Sequence, residues 1–261
     1  MKKIEFDDGI ALCGDSSSAE VLNEIRGVIP PEGVPLVATD PPYGNVVSQA
    51  WDKWKDGQRS FVDWMLDWTK TYAGLLIPGG AMYVWGGYGS PGFRPFFEYV
   101  ARLESETPMR MANFLTWSKR RAYGVQHNYL ATREDCAYLI KGDVKKPAIF
   151  NVPYLDEKRG YAGYNKKYPA KSEYYRRTNV WTDVTELLRG KVHPTQKPLR
   201  VTEVPIESNT APGDWVIDPF AGSMTTAWAA RKLGRRWVCV EKDNDIFESA
   251  VDALSAGNRK R

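Results

Sequence analysis

The chain has 261 residues, of which 43% are hydrophobic and 26% charged, a composition typical of a soluble globular protein with one large core. No stretch approaches the roughly 20 apolar residues of a membrane-spanning helix, and the segment Met1–Asp7 lacks the apolar region of a signal peptide, so we expect a cytoplasmic protein. Three isolated cysteines and two histidines give neither a disulfide framework nor the ligand spacing of a zinc site, so we expect buried thiols and no metal.

The first half of the chain alternates short apolar runs with segments of helical periodicity. Ile4–Leu12 is predicted to be a strand, Cys13–Ser16 a turn, and the apolar run Val34–Ala38 a buried strand. A helix is predicted over Phe61–Leu76 and is expected to end at Pro78–Gly80. Further predicted elements are the strands Ala81–Trp85, Met111–Trp117 and Cys136–Ile140 and the helix Pro95–Leu103. This alternation predicts an α/β fold with a doubly wound, mostly parallel sheet of Rossmann-like type.

The segment Asp40-Pro41-Pro42-Tyr43, which we call the bracket, follows the predicted strand Val34–Ala38. Open α/β sheets bind ligands at the carboxyl ends of their strands, so Asp40 is expected at a ligand site. Two successive prolines restrict the backbone and hold a carboxylate, prolyl carbonyl acceptors and an aromatic face close together. Such a bracket suits a planar group whose exocyclic amine is held by acceptors while its ring is stacked. On this segment alone, an ordinary turn with Tyr43 covering the core is the alternative.

Regular periodicity breaks down from about Gly142 to Val192. Between Tyr154 and Trp181 there are seven basic and three acidic residues, a local excess equal to the net charge of +4 of the whole chain. Tyrosines are interleaved with these cations, and aromatic rings that stack on bases among cations that contact phosphates predict a nucleic-acid-binding segment. A solvated, partly ordered insertion fits the composition equally well. The residues predicted to contact nucleic acid are Lys158, Arg159, Lys166, Lys167, Lys171, Arg176 and Arg177.

A glycine-bearing turn, Asp218–Ser223, connects the predicted strand Trp215–Ile217 to the predicted helix Thr225–Leu233. Glu241 follows about 20 residues later, at the end of the predicted strand Trp237–Val240, which is the nucleotide-binding arrangement of Rossmann-type sheets. The full G-x-G-x-x-G pattern and a P-loop lysine are both missing. The segment therefore predicts an adenosyl ligand without phosphates.

Three motifs, taken in their order along the chain, resemble those of the amino-methylating DNA methyltransferases in the permuted β arrangement of that family. The motifs are DPPY at Asp40–Tyr43, HPTQKP at His193–Pro198 and DPFAGSMTT at Asp218–Thr226. The resemblance implies a class I methyltransferase domain with a catalytic half over residues 1–141, a target-recognition insertion over 142–192 and a cofactor-binding half over 193–261. It also implies double-stranded DNA as partner and S-adenosylmethionine as cofactor. It leaves open a homodimer and a partner restriction nuclease.

The resemblance assigns cofactor-binding roles to two regions of the chain. Glu241 is expected on the ribose and Asp15 near the adenine. The residues expected around the methionine part are Asp218, Phe220, Ala221, Gly222 and Ser223, and those of the helix that closes over its end are His193, Thr195 and Lys197. Met224 stands where the family usually has glycine, and we expect it to narrow or reshape the cofactor pocket. The segments Trp117–Lys119 and Thr132–Glu134 resemble those that shape the target-base pocket.

The expected catalytic residues are Asp40, Pro41, Pro42 and Tyr43. Asp40 and the Pro41 carbonyl would accept the two hydrogens of an exocyclic amine, and Tyr43 would stack on a base turned out of the duplex. Aspartate at the first motif position is commoner in the family's adenine enzymes, so we expect N6-adenine methylation, with N4-cytosine methylation as the alternative. Carbon-5 methylation is not expected, because no cysteine of the chain follows a proline. Methylation of RNA or of a protein amide, and a DNA-binding relative without catalysis, are the other open alternatives.

Overall fold

A computed structural model describes residues 1–45, 52–90, 92–123, 127, 129–158, 172–184 and 197–257, without the side chains of residues 120–123. The helices of this described part are α1 (Ala19–Val28), α2 (Gly57–Ala73), α3 (Pro95–Glu106), α4 (Leu199–Asn209), α5 (Thr225–Lys232) and α6 (Asn244–Ser255). Its strands are β1 (Lys2–Phe6), β2 (Gly9–Cys13), β3 (Val34–Thr39), β4 (Leu76–Gly86), β5 (Met109–Tyr123), β6 (Ala131–Lys141), β7 (Tyr154–Lys158), β8 (Tyr174–Arg176), β9 (Val180–Trp181), β10 (Trp215–Asp218) and β11 (Arg236–Glu241).

Within the described ranges, one sheet contains nine strands in the order β1-β2-β11-β10-β3-β4-β6-β5-β9. The central run β2-β11-β10-β3-β4 is parallel throughout. In contrast, β6 pairs antiparallel with β4 and β5, and β1 pairs antiparallel with β2. The carboxyl ends of five neighbouring parallel strands therefore meet along one side of the sheet, which we call the carboxyl edge.

Helices cover both faces of the parallel strands, which is why those strands read as continuous apolar runs. In β3, Leu36 and Ala38 belong to the core cluster on the side of α4, α5 and α6. Val37 belongs to the opposite cluster, on the side of α1, α2 and α3. Successive side chains of a strand point to opposite faces, so a single strand contributes to both cores. The predicted doubly wound, mostly parallel sheet is confirmed.

The amino-terminal segment forms a hairpin, so the prediction of a single strand over Ile4–Leu12 is wrong. β1 and β2 are antiparallel, and the chain turns between Phe6 and Gly9. The turn-forming sequence Asp7-Asp8-Gly9 interrupts what looks like one alternating run. Glycine is needed at position 9, because a Cβ atom there would lie 2.4 Å from the Trp237 ring.

The segment after α2 also differs from the prediction of a helix over Phe61–Leu76. The helix ends at Ala73, and Pro78–Gly80 lies inside β4 instead of terminating a helix. β4 pairs with β3 on both sides of these residues, which form an irregularity in the ladder. Gly79 has a φ of 75°, and a Cβ atom on it would lie 2.7 Å from the Ala148 amide nitrogen. A proline and glycines that suit a helix end here serve a strand irregularity.

Short strands occur within the predicted insertion over residues 142–192. β7 and β8 form a separate antiparallel pair, whereas β9 pairs with β5 at the margin of the main sheet. The Trp117 indole N–H donates to the carbonyl of Val184 at 3.0 Å. The later part of this segment therefore packs against the sheet that carries the bracket.

Cys13, Cys136 and Cys239 are buried free thiols, as predicted. Burial raises the pKa of the Cys136 and Cys239 thiols well above the ordinary value, so both are in the unreactive neutral form. The described residues include no group of three or more His, Cys, Asp or Glu side chains placed to hold a metal ion. None of the described helices combines the length and apolar character needed to cross a bilayer.

Candidate active site

The bracket and the turn Asp218–Ser223 begin side by side at the carboxyl edge. Their strands, β3 and β10, are parallel neighbours with Val37 paired to Ile217. Where these strands end, the Thr39 hydroxyl donates to Asp218 Oδ1 at 2.7 Å, and both side chains are buried. The two regions that the sequence assigns to catalysis and to cofactor binding are thus joined directly.

Asp218 is an internal anchor of the turn. Its Oδ2 accepts a hydrogen bond from the Thr226 hydroxyl at 2.6 Å, and its Oδ1 accepts one from the Phe220 amide at 3.1 Å. The residue is 5% exposed, and burial raises the pKa of its carboxyl to about 6, against the lowering effect of these hydrogen bonds. The structure places this side chain where it holds the turn in shape, while a direct contact with the methionine part stays a prediction.

Glu241 and Asp15 lie at the ends of the next two strands along the carboxyl edge. Glu241 accepts hydrogen bonds from the amides of Gly222 and Asp243, each at 2.8 Å, and burial is the main reason that the pKa of its carboxyl is raised. Asp15 is about half exposed and pairs with Lys242 at 2.8 Å. The structure therefore brings both predicted nucleoside ligands to the same edge as the turn.

The turn folds back over the end of β11. The Ala221 amide donates to the carbonyl of Val240 at 2.8 Å, and Gly222 adopts a left-handed φ of 49°. Met224, also left-handed at 55°, is fully buried in the core cluster of α4, α5 and α6. This conformation costs a residue with a Cβ atom roughly 1–2 kcal/mol, which accounts for glycine being the usual residue in the resembled motif. The structure places the methionine side chain in the core.

The remaining turn residues differ in polarity. The Phe220 ring contacts the edges of Trp64 and Trp68, with ring centroids 5.5 and 5.3 Å apart. The Ser223 hydroxyl lies 3.2 Å from that of Thr225. The turn therefore has an apolar side packed on α2 and a side that carries hydroxyl groups.

Tyr43 and Asp40 are linked within the bracket. The Tyr43 hydroxyl donates to Asp40 Oδ1 at 2.8 Å. Burial, together with the negative charges nearby, raises the pKa of Tyr43 well above its ordinary value, so the phenol stays protonated. Its ring packs on Gly87, where a Cβ atom would lie 2.4 Å from the ring. The cleft beside it is lined by Pro42, Tyr43, Trp85, Gly86, Gly87 and Phe96, among others.

Lys197 points into the bracket. Its Nζ lies 2.6 Å from Asp40 Oδ2, 2.7 Å from Glu134 Oε2 and 3.1 Å from the Tyr43 hydroxyl oxygen, and the residue is 8% exposed. On the far side, Lys119 Nζ lies 2.7 Å from Glu134 Oε1. The resemblance assigned Lys197 to the methionine end of the cofactor and named Lys119 and Glu134 only as part of base-pocket segments. No pattern in the sequence indicates that these residues form one charged network with Asp40.

The charges of this network act on one another across short distances. Burial raises the pKa of Asp40, as does the Glu134 charge, while Lys197 lowers it, and the net direction is upward. For Glu134, the two lysines outweigh the effect of burial and bring the pKa to about 2. Burial lowers the pKa of Lys197, but Asp40 and Glu134 raise it by more. Lys197 is therefore a buried cation that stays charged at neutral pH.

The basic residues predicted to bind nucleic acid lie in different environments. Lys158 is exposed and pairs with Glu173 at 3.1 Å, and Arg176 is exposed. Arg177 is buried, donates to Asp183 at 2.6 Å and lies inside the protein instead of on the surface that a phosphate contact requires. The other predicted residues that lie outside the described part of the chain are Arg159, Lys166, Lys167, Lys171, His193 and Thr195.

Comparison with known families and proteins gives consistent matches. A family model described as DNA methylase matches residues 34–252. The type II methyltransferase M2.LlaDCHI of Lactococcus lactis subsp. cremoris is 26% identical over 98% of this chain and 94% of its own length. The DNA adenine methyltransferase YhdJ of Escherichia coli (strain K12) is 26% identical over 92% of this chain and 82% of its own length. The type II methyltransferase M.BamHI of Bacillus amyloliquefaciens is 26% identical over 85% of this chain, which spans only 53% of that relative.

Solved structures share the fold. The cytosine-N4-specific PvuII DNA methyltransferase superimposes with a TM-score of 0.68 at 20% identity, over 94% of this chain and 86% of its own. TTHA0409 of Thermus thermophilus, a modification methylase complexed with S-adenosyl-L-methionine, gives 0.63 at 22% identity, over 94% and 93% of the two chains. The predicted Rossmann-like methyltransferase fold is confirmed.

Proposed function

Because the chain belongs to the DNA methylase family, we propose that it transfers a methyl group from S-adenosylmethionine to the exocyclic N6 amine of adenine in a specific sequence of double-stranded DNA. The observation that carries the proposal is the hydrogen bond from Thr39 to Asp218, which joins the bracket to the turn at neighbouring strand ends. A group held by the bracket and a group held by the turn lie close enough to react. Two sites on opposite faces of the sheet would not support such a transfer.

The donor set at the carboxyl edge fits an adenosyl ligand with a positively charged sulfur. Asp15, Asp218 and Glu241 supply carboxylates at three adjacent strand ends, which suit ribose hydroxyls and a cation and disfavour phosphates. The left-handed Gly222 lets the turn backbone fold against Glu241 without a side chain in the way. When bound, S-adenosylmethionine supplies an electrophilic methyl group.

The bracket supplies what a weakly nucleophilic amine needs. The lone pair of an exocyclic amine is delocalised into the ring, so acceptors that hold both hydrogens favour a pyramidal nitrogen with an available lone pair. Asp40 and the Pro41 carbonyl are those acceptors, and because they are fixed in advance they also stabilise the positive charge that develops on nitrogen. Tyr43 stacks on the base once it is turned out of the duplex.

The choice of adenine rests on two supports. Aspartate stands at the first position of the bracket, as in the adenine enzymes of the resembled family, and YhdJ, named a DNA adenine methyltransferase, aligns over most of this chain. N4-cytosine methylation is the second candidate, favoured by the superposition on the cytosine-N4-specific PvuII enzyme. Both reactions use the same acceptors on an exocyclic amine, so only the product distinguishes them.

Catalysis is favoured over an inactive DNA-binding relative by the placement of Met224. Its side chain is fully buried among core residues, and the following helix α5 begins at Thr225. The turn therefore keeps its left-handed conformation at this position without glycine. We expect cofactor binding to be retained.

Nucleoside analysis of DNA tests the proposal. The protein is expressed in cells that lack adenine and cytosine methylation, the DNA is hydrolysed, and methylated nucleosides are identified by mass spectrometry, with Asp40→Ala as the inactive control. We expect N6-methyladenine with the wild-type chain and none with the variant. N4-methylcytosine would replace adenine as the target, and methyl transfer to RNA or protein but not to DNA would overturn the proposal. Single-molecule sequencing of the same DNA gives the sequence context.

A further inference from the structure

We propose that Lys197 is a positioning residue for Asp40, aimed at that carboxylate by Glu134, which Lys119 holds in turn. The inference rests on the proposed function, because it concerns how the bracket presents an acceptor to the target amine. It gives Lys197 a role beside the base rather than at the methionine end of the cofactor. It also gives Glu134 and Lys119 a function.

Four side chains form a line of alternating charge across separate elements. Lys119 of β5 and Lys197, just before α4, each lie 2.7 Å from one of the two oxygens of Glu134 in β6. Lys197 then reaches Asp40, after β3, at 2.6 Å. Because each Glu134 oxygen binds a different lysine, the carboxylate cannot rotate without losing a partner. The direction of the Lys197 ammonium toward Asp40 is fixed in consequence.

Asp40 needs this cation in order to act as an acceptor. A protonated carboxyl would turn an O–H group toward the amine hydrogens, whereas the carboxylate can accept from them. Burial and the Glu134 charge both favour the protonated form of Asp40, and Lys197 opposes them. The groups that face Asp40 from the elements around it are Tyr43, Glu134, Cys136, Lys197 and Asp218. Tyr43 and Cys136 are neutral and Asp218 and Glu134 are acids, so Lys197 is the cation of this described set.

The same contacts leave one direction for the target. Tyr43 occupies a lone pair on Asp40 Oδ1 and Lys197 occupies one on Oδ2. A carboxylate oxygen has two lone-pair sites, so an acceptor site stays available on each oxygen. The Lys197 Nζ lies 5.5 Å from the ring centres of Tyr43 and Trp85, which form aromatic walls around the buried ammonium. The network therefore sets both the charge and the orientation of the acceptor.

The test compares Lys197→Met, Lys197→Arg and the double variant Lys197→Met with Glu134→Gln. Asp40 is titrated by carbon-13 NMR of labelled aspartate, its signal being the one absent from Asp40→Asn, and methyl transfer is measured in single turnovers from about pH 5 to 9. In Lys197→Met we expect the Asp40 pKa to rise by at least about one unit, and the transfer rate at neutral pH to fall about 10- to 100-fold and recover at higher pH. Lys197→Arg should keep the wild-type titration. The double variant should bring the Asp40 pKa back down, because it also removes the like charge of Glu134.

Glu203→Gln is the matched control. Glu203 is a buried carboxylate, paired at 2.6 Å with Lys232, and it lies in α4 away from the bracket. Its loss should leave the Asp40 titration unchanged. An unchanged Asp40 titration in Lys197→Met, with weaker cofactor binding by calorimetry, would overturn the inference and return Lys197 to the cofactor. A shifted titration in a protein that methylates no DNA would instead refute the proposed function and leave the inference standing.

Discussion

Thr39 Oγ and Asp218 Oδ1 lie 2.7 Å apart across two neighbouring parallel strands, although the residues are 179 positions apart in sequence. Both groups are buried, so the bond is made where water cannot replace it. Asp218 sets the shape of the turn through Thr226 and the Phe220 amide. A change at Thr39, in the catalytic half of the chain, is therefore transmitted to the cofactor half.

Thr39→Val should weaken both stability and cofactor binding. The substitution keeps the shape of the side chain but removes the hydroxyl that Asp218 accepts from, and a buried acceptor that loses a donor costs about 1–3 kcal/mol. Unfolding in urea measures the first effect, and calorimetry with S-adenosylmethionine measures the second. Thr69→Val is the control, because Thr69 is equally buried but its hydroxyl bonds within α2, to the Met65 carbonyl. Equal losses of cofactor affinity in the two variants would contradict the link.

The Asp218 carboxyl should make stability depend on pH. Its pKa in the folded protein is about 6, against an ordinary value of 3.8, so the native state binds the proton more tightly than the unfolded state. The proton's contribution is complete below the lower value and is lost as the pH rises through the higher one. The loss amounts to about 3 kcal/mol at 1.36 kcal/mol per pKa unit.

Asp218→Asn isolates this contribution, because asparagine does not titrate. Urea unfolding of both proteins between about pH 4 and 7 should show the wild type losing stability relative to the variant as the pH rises, with no further change above the folded pKa. A stability difference that is constant across this range would show that the folded and unfolded pKa values are equal. The bound cofactor is left out of these measurements so that only the side chain is compared.

Met224 should reverse the usual order of alanine and glycine. At its φ of 55°, glycine avoids a strain of roughly 1–2 kcal/mol that alanine retains, so Met224→Gly should unfold at higher urea than Met224→Ala, although both lose the buried side chain. Met65 provides the control, because it is buried within α2, where alanine is the more stable choice by roughly 1 kcal/mol. If Met224→Ala were the more stable of its pair, the left-handed conformation at this position would be wrong.

The sequence predicts the parts of the site that depend on neighbours in the chain. The bracket follows an apolar run, and the glycine-bearing turn lies between a strand and a helix, so local pattern alone indicates that both end at the carboxyl edge. Their contact then follows from the order of parallel strands. The hairpin at Asp7-Asp8-Gly9 was missed because turn residues interrupted an otherwise alternating run.

The charged network was not predictable in the same way. Lys197 is 157 residues from Asp40 and 63 from Glu134, and their contact depends on the pairing of β6 with β4 and on where α4 begins. No local periodicity encodes that register. Arg177 shows the converse, because its charge suggests the surface while its packing by Trp181 and Asp183 buries it.

Neighbouring arginines provide a final prediction about DNA binding. Arg176 is exposed, whereas Arg177 is buried and bonded to Asp183 at 2.6 Å. We expect Arg176→Gln to weaken binding to duplex DNA of any sequence and to reduce the slope of log affinity against log salt by about one, because one phosphate contact is lost. Arg177→Gln should leave that slope unchanged but lower the free energy of unfolding, because the charge of the Asp183 carboxylate then loses its partner. Fluorescence anisotropy over a range of salt concentrations and urea unfolding separate the two effects. Equal salt slopes for Arg176→Gln and the wild type would place the DNA-binding surface elsewhere.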